Sequence, residues 1–363
     1  LPLTLIARQG QSTSTPMGGT FSAFGPAQVP STTGDVAFWA AVSGASANQA
    51  IFKNSGGTIT KLVAAGSGAT GDATPIGGTF TGLGTVAVMN DSGDVAFFAT
   101  VSGGSAAQGV FKWSGGTVTK LVATGEATPA GGTYASFAPP AGPAVPVINS
   151  WGDVTFWASL STGGQGLFRH SGSVAKVAAT GDATPVGGTF SSFLTAGGRA
   201  TIPTITDNQQ VSFRGEVSGG SATEGIFLAD YGGAITKVVV AGEATPLGGA
   251  YTIFTQVPSP NESGQVTFWA GLSGSSASVC TNQGVPCGVF RRESNGVITK
   301  ITAGGDAGAP GVGGTISGIG TVPLMNDSGQ VSVWTGISNG FAAQSLVRYT
   351  NGDKGDVTFG SLI

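Results

Sequence analysis

Five carboxylates occupy one recurring place in this 363-residue chain. Asp72, Glu126, Asp182, Glu243 and Asp306 each stand just ahead of a Thr-Pro-type turn, and Gln11 or a neighbour takes the first slot. Gathered in a ring, such a set would offer the several oxygen ligands that Ca²⁺ requires. A second regularity points to a plainer use. Lys120, Lys176, Lys237 and Lys300 precede their carboxylates by six residues, and Lys61 precedes Asp72 by eleven across an insertion. A lysine coupled to each carboxylate reads as a structural ion pair, so Ca²⁺ is the only cofactor in view and no metal site is assigned.

Other chemistry is sparse. His170 is the only histidine, and one imidazole cannot build a multi-histidine metal site. A Gly-x-Ser-x-Gly elbow, a phosphate loop and a dinucleotide fingerprint are all missing. Arg8, Arg199, Arg214 and Arg292 are scattered over different parts of the chain, which gives no arginine cluster for sialidase-type chemistry. The expectation is a non-enzymatic protein. Trp39, Trp157, Trp269 and Trp334 recur at equivalent positions and read as core, whereas Trp113 and Trp151 lie outside that set, in turns, where they can meet a partner. Cys280 and Cys287 sit close together in an insertion found once. A disulfide between them would close a small loop and fit an oxidising compartment.

Composition narrows the class. Charged residues make up 9% of the chain against a typical ~25%, and glycine fills 64 positions. A net charge of -3 supplies no basic field for nucleic acid and no polybasic membrane patch. No apolar run approaches the ~20 residues that cross a bilayer as a helix. Low charge with abundant Gly, Ser and Thr suggests a secreted, extracellular or cell-surface protein. The opening Leu1-Pro2-Leu3-Thr4 has the look of a processed chain.

These residues are set out by six tandem copies of a roughly 60-residue unit. Each copy begins with a Thr-Pro turn carrying paired glycines, at Thr15, Thr74, Thr128, Thr184 and Thr245, with a variant at Ala309-Pro310. Proline presets one dihedral and glycine accepts positive φ, which is turn chemistry. A polar turn then feeds a strand, most clearly in Asn90-Asp91-Ser92-Gly93-Asp94-Val95-Ala96-Phe97-Phe98. A strand pair follows, as in Gly109 to Lys112, the Ser114-Gly115-Gly116 turn, and Thr117 to Val122. Four short strands repeated six times predict an all-β fold, a six-bladed β-propeller of four-stranded antiparallel blades. Adjacent aromatics such as Phe38 and Trp39 point to opposite faces of a strand, so both faces must be covered, as blades packed face to face require. Residues 1–363 then form one domain.

The stretch from Asn90 to Phe97 fits N-x-x-G-x-x-A-F. It resembles the tandem repeat of that name in secreted bacterial proteins with varied C-terminal anchors. Asn149, Gly152 and Phe156 keep the pattern, as do Asn261, Gly264 and Phe268. Asn326 and Gly329 keep it with Val333 in place of Phe, Ser31 replaces the first Asn, and Thr206 and Gln209 depart most. The resemblance implies secretion and surface display, and it implies no reaction.

The ends hold one strand too many. Leu3-Thr4-Leu5-Ile6-Ala7 resembles a fourth strand that closes the last blade, and Val357 to Ile363, within a possible extension strand over 351–363, competes for the same slot. A surplus strand, whether Leu3, Leu5 and Ile6 or Val357, Phe359 and Leu362, can pair with a neighbour. The first expectation is therefore an extracellular structural subunit that self-associates through a terminal strand into a filament, sheath or matrix. The alternative is a module binding glycan or another surface ligand on the carboxylate side, aided by Ca²⁺.

Overall fold

The computed structural model describes residues 4–13, 17–26, 31–67 and 70–350. Among these the chain is all-β, without an α-helix. It falls into two compact units, Leu1–Ala179 with Ala196–Ala200, and Thr180–Thr195 with Thr201–Ile363. Each unit carries three antiparallel sheets, and the six sheets are the blades of a six-bladed β-propeller.

The second blade shows the plan. Strand one, Thr79–Leu83, pairs with strand two, Val95–Ser102, which pairs with strand three, Gln108–Ser114, and then with strand four, Thr117–Ala123. A two-residue strand, Val88–Met89, leads into the N-x-x-G turn and pairs with the start of strand two. The Thr-Pro turn is held by its own threonine. Thr74 Oγ1 accepts the Ile76 N–H and donates to the Gly77 carbonyl at 2.6 Å. Gly78 has φ +67°, and a Cβ there would lie 2.0 Å from the Ser102 carbonyl oxygen, so only glycine fits.

Both faces of each sheet are covered, as the Phe-Trp pairs predict. In the fifth blade, Phe268 packs with Ile226 and Val239 of the fourth, and Trp269 on the opposite face packs with Ile316 and Val331 of the sixth. In the first unit, Trp39 and Ile51 pack on Phe80, Phe97 and Phe111 of the second blade. That aromatic trio recurs. Phe80 meets Phe111 edge to face at 5.1 Å, and Tyr251 meets Phe290 the same way at 5.1 Å. Such pairs add about 0.5–1.5 kcal/mol beyond their buried area. At the junction of the first and second blades a Trp-bearing aliphatic front face meets an aromatic rear face, whereas the sixth blade meets Trp269 with the aliphatic side chains Ile316 and Val331.

Two expectations need correction. Trp113 is not in a turn. It lies on strand three opposite Val95 and packs against the junction of the first and second blades. The segment Thr4–Arg8 forms no strand. Leu5 is exposed and Ile6 is half-buried against the first blade, its carbonyl accepting Asn54 Nδ2 at 2.9 Å. A side-chain amide has satisfied the backbone group that a ladder would have used. Leu3 and the segment 351–363, with Val357, Phe359 and Leu362, lie outside the described residues, as does the Thr15-Pro16 turn.

Candidate functional site

The carboxylates come first, because the repeat singles them out. Lys61 Nζ lies 2.8 Å from Asp72 Oδ1, and Lys300 Nζ 2.8 Å from Asp306 Oδ1. Lys120 pairs with Glu126 and Lys237 with Glu243. Each of these carboxylates also accepts a backbone N–H at the end of strand four: Ala64 for Asp72, Ala123 for Glu126, Val240 for Glu243 and Ala303 for Asp306. Asp182 is engaged as well. The side chains therefore clamp the turn after strand four, one blade at a time. Among the described residues no three of His, Cys, Asp and Glu gather as a metal site would need. In this structure the oxygens of Asp72, Glu126, Glu243 and Asp306 are engaged by a lysine and a backbone N–H.

The cysteine loop has a structural task as well. In the first two blades a glutamine at the start of strand three ties its blade to the next. Gln49 Oε1 accepts Trp39 Nε1 at 3.2 Å and the Leu83 N–H of the second blade at 3.1 Å. Gln108 Oε1 accepts the Phe137 N–H of the third blade at 3.0 Å. In the fifth blade that place belongs to Cys287, and the indole N–H of Trp269 is left buried without a hydrogen-bond partner. The loop closed by the Cys280–Cys287 disulfide supplies Asn282 instead. Asn282 Oδ1 accepts the Ile319 N–H at 3.2 Å, and its Nδ2 donates to the Ile319 carbonyl at 2.9 Å. The expected cost of Cys280→Ser with Cys287→Ser is roughly 2.5 kcal/mol in urea unfolding, from loop-closure entropy alone. Gln283→Ala, at an exposed position of the same loop, should stay within about 0.5 kcal/mol of the parent protein.

The fourth blade departs at the same two places. Arg214 stands where Trp39 does and Glu224 where Gln49 does, both buried and paired with each other. Arg214 also donates to the Leu194 carbonyl at 3.2 Å and to Glu216 at 3.2 Å. Burial raises the Glu224 pKa against the pull of Arg214, and the Phe254 backbone hydrogen-bonds to the carboxylate. This ion pair stands in the fourth blade where the Trp39–Gln49 pair stands in the first.

What repetition leaves unexplained is at the N-x-x-G turn of the third blade. The third position of that turn is Thr33, Ser92, Asn208, Ser263 or Ser328 in the other copies, and Trp151 here. Trp151 is 77% exposed. The turn beneath it is rigid. Asn149 Oδ1 accepts the Asp153 N–H at 2.8 Å, and Asn90 Nδ2 of the second blade donates to the Asn149 carbonyl at 2.9 Å. Lys112 approaches from the second blade, its Nζ 3.4 Å from the Gly152 carbonyl and 4.0 Å from Asp94 Oδ2. His170 lies opposite Val154 on strand three of the same blade. Burial first, and then Lys112, lower its pKa, so the imidazole is neutral at pH 7 and presents a donor and an acceptor. Trp151 was legible as an aromatic outside the repeat pattern. Its polar surroundings were not, because Lys112 and Asp94 belong to the preceding copy.

None of the curated proteins matches the chain. Among solved structures, the fungal lectin of Aleuria aurantia, described as a six-bladed β-propeller with a novel fucose recognition mode, aligns at 12% identity over 92% of each chain, with a TM-score of 0.38. A protein of unknown function from Dyadobacter fermentans DSM 18053 aligns at 12% identity over 94% of this chain and 98% of its own, with a TM-score of 0.38. A puromycin-hydrolyzing peptidase of Mycobacterium tuberculosis aligns at 12% identity over 93% of this chain and 52% of its own, with a TM-score of 0.35. The match that covers residues 3–346 is to a family of unknown function (DUF7453), and the chain belongs to that family.

Proposed function

We propose that the protein is a secreted, non-catalytic module that binds carbohydrate on the turn around Trp151. One observation carries this: an exposed indole on a hydrogen-bonded turn where the other copies place a small polar side chain. An indole offers an apolar π-face and one N–H donor, which complements the C–H face and hydroxyls of a sugar ring. Lys112 and Asp94 bring a cation and an anion to Gly152 of the same turn. The blade scaffold has no use for Trp151, whereas it uses the recurring lysines, carboxylates and asparagines.

A glycan array followed by titration of the best saccharide tests the reading. Trp151→Ala should weaken binding by about 2 kcal/mol, roughly 30-fold, as loss of a central aromatic anchor does. Because Asp72, Glu126, Glu243 and Asp306 are held by lysines, binding should survive EDTA. An array without a saccharide ligand, or unchanged affinity in Trp151→Ala, would sink the proposal.

A further inference from the structure

His170 is the only histidine of the chain, and register sets its place. It stands on strand three of the third blade opposite Val154, the first residue of strand two. The same place holds Asn54 opposite Val36, Trp113 opposite Val95 and Tyr349 opposite Val331. The sixth blade shows what such a residue meets. Arg291 of the preceding blade lies with its guanidinium 5.7 Å from the centre of the Tyr349 ring, while one of its nitrogens donates to the Gly329 carbonyl of the N-x-x-G turn. Lys112 makes the equivalent approach to the third blade, its Nζ 3.4 Å from the Gly152 carbonyl. There the residue in the place of Tyr349 is His170, and Lys112 acts on it by charge.

A histidine at this place can change charge in mild acid, which tyrosine, tryptophan and asparagine cannot. Its charged neighbours come from two blades. Lys112 and Lys120 stand on strands three and four of the second, and Asp153 closes the turn of the third. Burial, and then Lys112, outweigh a backbone hydrogen bond and Asp153, so the ring is held neutral at pH 7. Lys112 and Asp153 are also the fastenings of the turn that carries Trp151. Lys112 holds the Gly152 carbonyl, and Asp153 Oδ2 accepts Asn149 Nδ2 at 3.3 Å. A charged imidazole repels the first and attracts the second.

We propose that the proton on His170 controls the Trp151 turn: when the imidazole is charged, Lys112 leaves the Gly152 carbonyl and the turn loosens. Ligand binding, which rests on the function proposed above, is then strong at neutral pH and weak in mild acid. The only chemical step is uptake of one solvent proton by a ring nitrogen. Charging is disfavoured in the folded protein, so stability from this group is complete above the ordinary value of 6.5 and is lost as pH falls below it.

A single histidine lets proton NMR follow the ring without further assignment. Its titration midpoint should lie below 6.5 in the parent protein and move up in Lys112→Met. The indole N–H signal of Trp151, identified as the one lost in Trp151→Phe, should shift with the same midpoint as His170. His170→Tyr and His170→Asn, which copy the sixth and first blades, should hold that signal constant between about pH 7.5 and pH 5. Titration with the saccharide found on the array should show about tenfold weaker binding at the lower pH in the parent protein, and less than about twofold in the two variants. An indole signal that stays fixed while His170 titrates overturns the proposal, as does a midpoint unmoved in Lys112→Met or binding that ignores pH. If the array yields no saccharide, the Trp151 reading fails, and the NMR titration by itself decides whether the switch exists.

Discussion

Replacing Arg214 with methionine should destabilise the protein by about 3–5 kcal/mol, because it strands the buried Glu224 carboxylate without its partner. The double variant Arg214→Trp with Glu224→Gln should recover most of that loss, since it recreates the Trp39–Gln49 arrangement of the first blade. Replacing a buried ion pair by a well-packed, less charged pair is often neutral or stabilising. Urea unfolding of the parent and the two variants measures both effects. If the double variant is as damaged as Arg214→Met, the fourth blade has diverged beyond these two positions and the equivalence is wrong.

The same site fixes the sign of a pH effect. Burial raises Glu224, so the folded protein binds that proton more tightly than the unfolded chain. Stability from this group is complete below the unfolded value near 4.5 and is lost as pH rises through the folded value. Removing Arg214 removes the main force favouring the ionised form. Arg214→Met should therefore lose more stability at pH 8 than at pH 5, and equal losses at the two values would show that packing, not charge, sets the cost.

The fourth blade also shows where sequence reading stops. Arg214 was visible as a scattered basic residue, and the signal that explains it was present. Arg and Glu replace Trp and Gln in one copy, at two positions ten residues apart whose side chains meet diagonally across neighbouring strands. Reading it required knowing that Trp and Gln touch in the first and sixth copies, which is a cross-strand fact. The same holds for the carboxylates. Their coupling to lysine was legible from spacing, while the backbone N–H that each also accepts was not. The strand count, the turns and the two-faced burial of Phe-Trp pairs follow from local patterns, and those patterns sufficed.

The asparagine of the N-x-x-G turn is the second place where a large loss is expected. Asn261 is buried, and its Oδ1 accepts the N–H groups of Gln265 at 3.0 Å and Ser263 at 3.1 Å. Its Nδ2 donates to Gln265 Oε1 at 2.7 Å and reaches the Asn326 carbonyl of the sixth blade at 3.5 Å. One side chain thus closes its own turn and touches the next, as Asn90 does with Asn149 in the other unit. Asn261→Leu removes the acceptor of the Gln265 and Ser263 N–H groups; water can replace it at the exposed Ser263, so the loss comes mainly from the half-buried Gln265 amide and is expected at roughly 1–3 kcal/mol. Ser263→Ala, at the exposed third position of the same turn, should change stability by less than about 0.5 kcal/mol. Hydrogen exchange separates the two roles. A turn motif alone would loosen only the amides around Gly264. A motif that also joins blades would speed exchange at Gly329 and Gln330 of the sixth blade as well. The sequence repeat would then be, in physical terms, a repeat of junctions as much as a repeat of sheets.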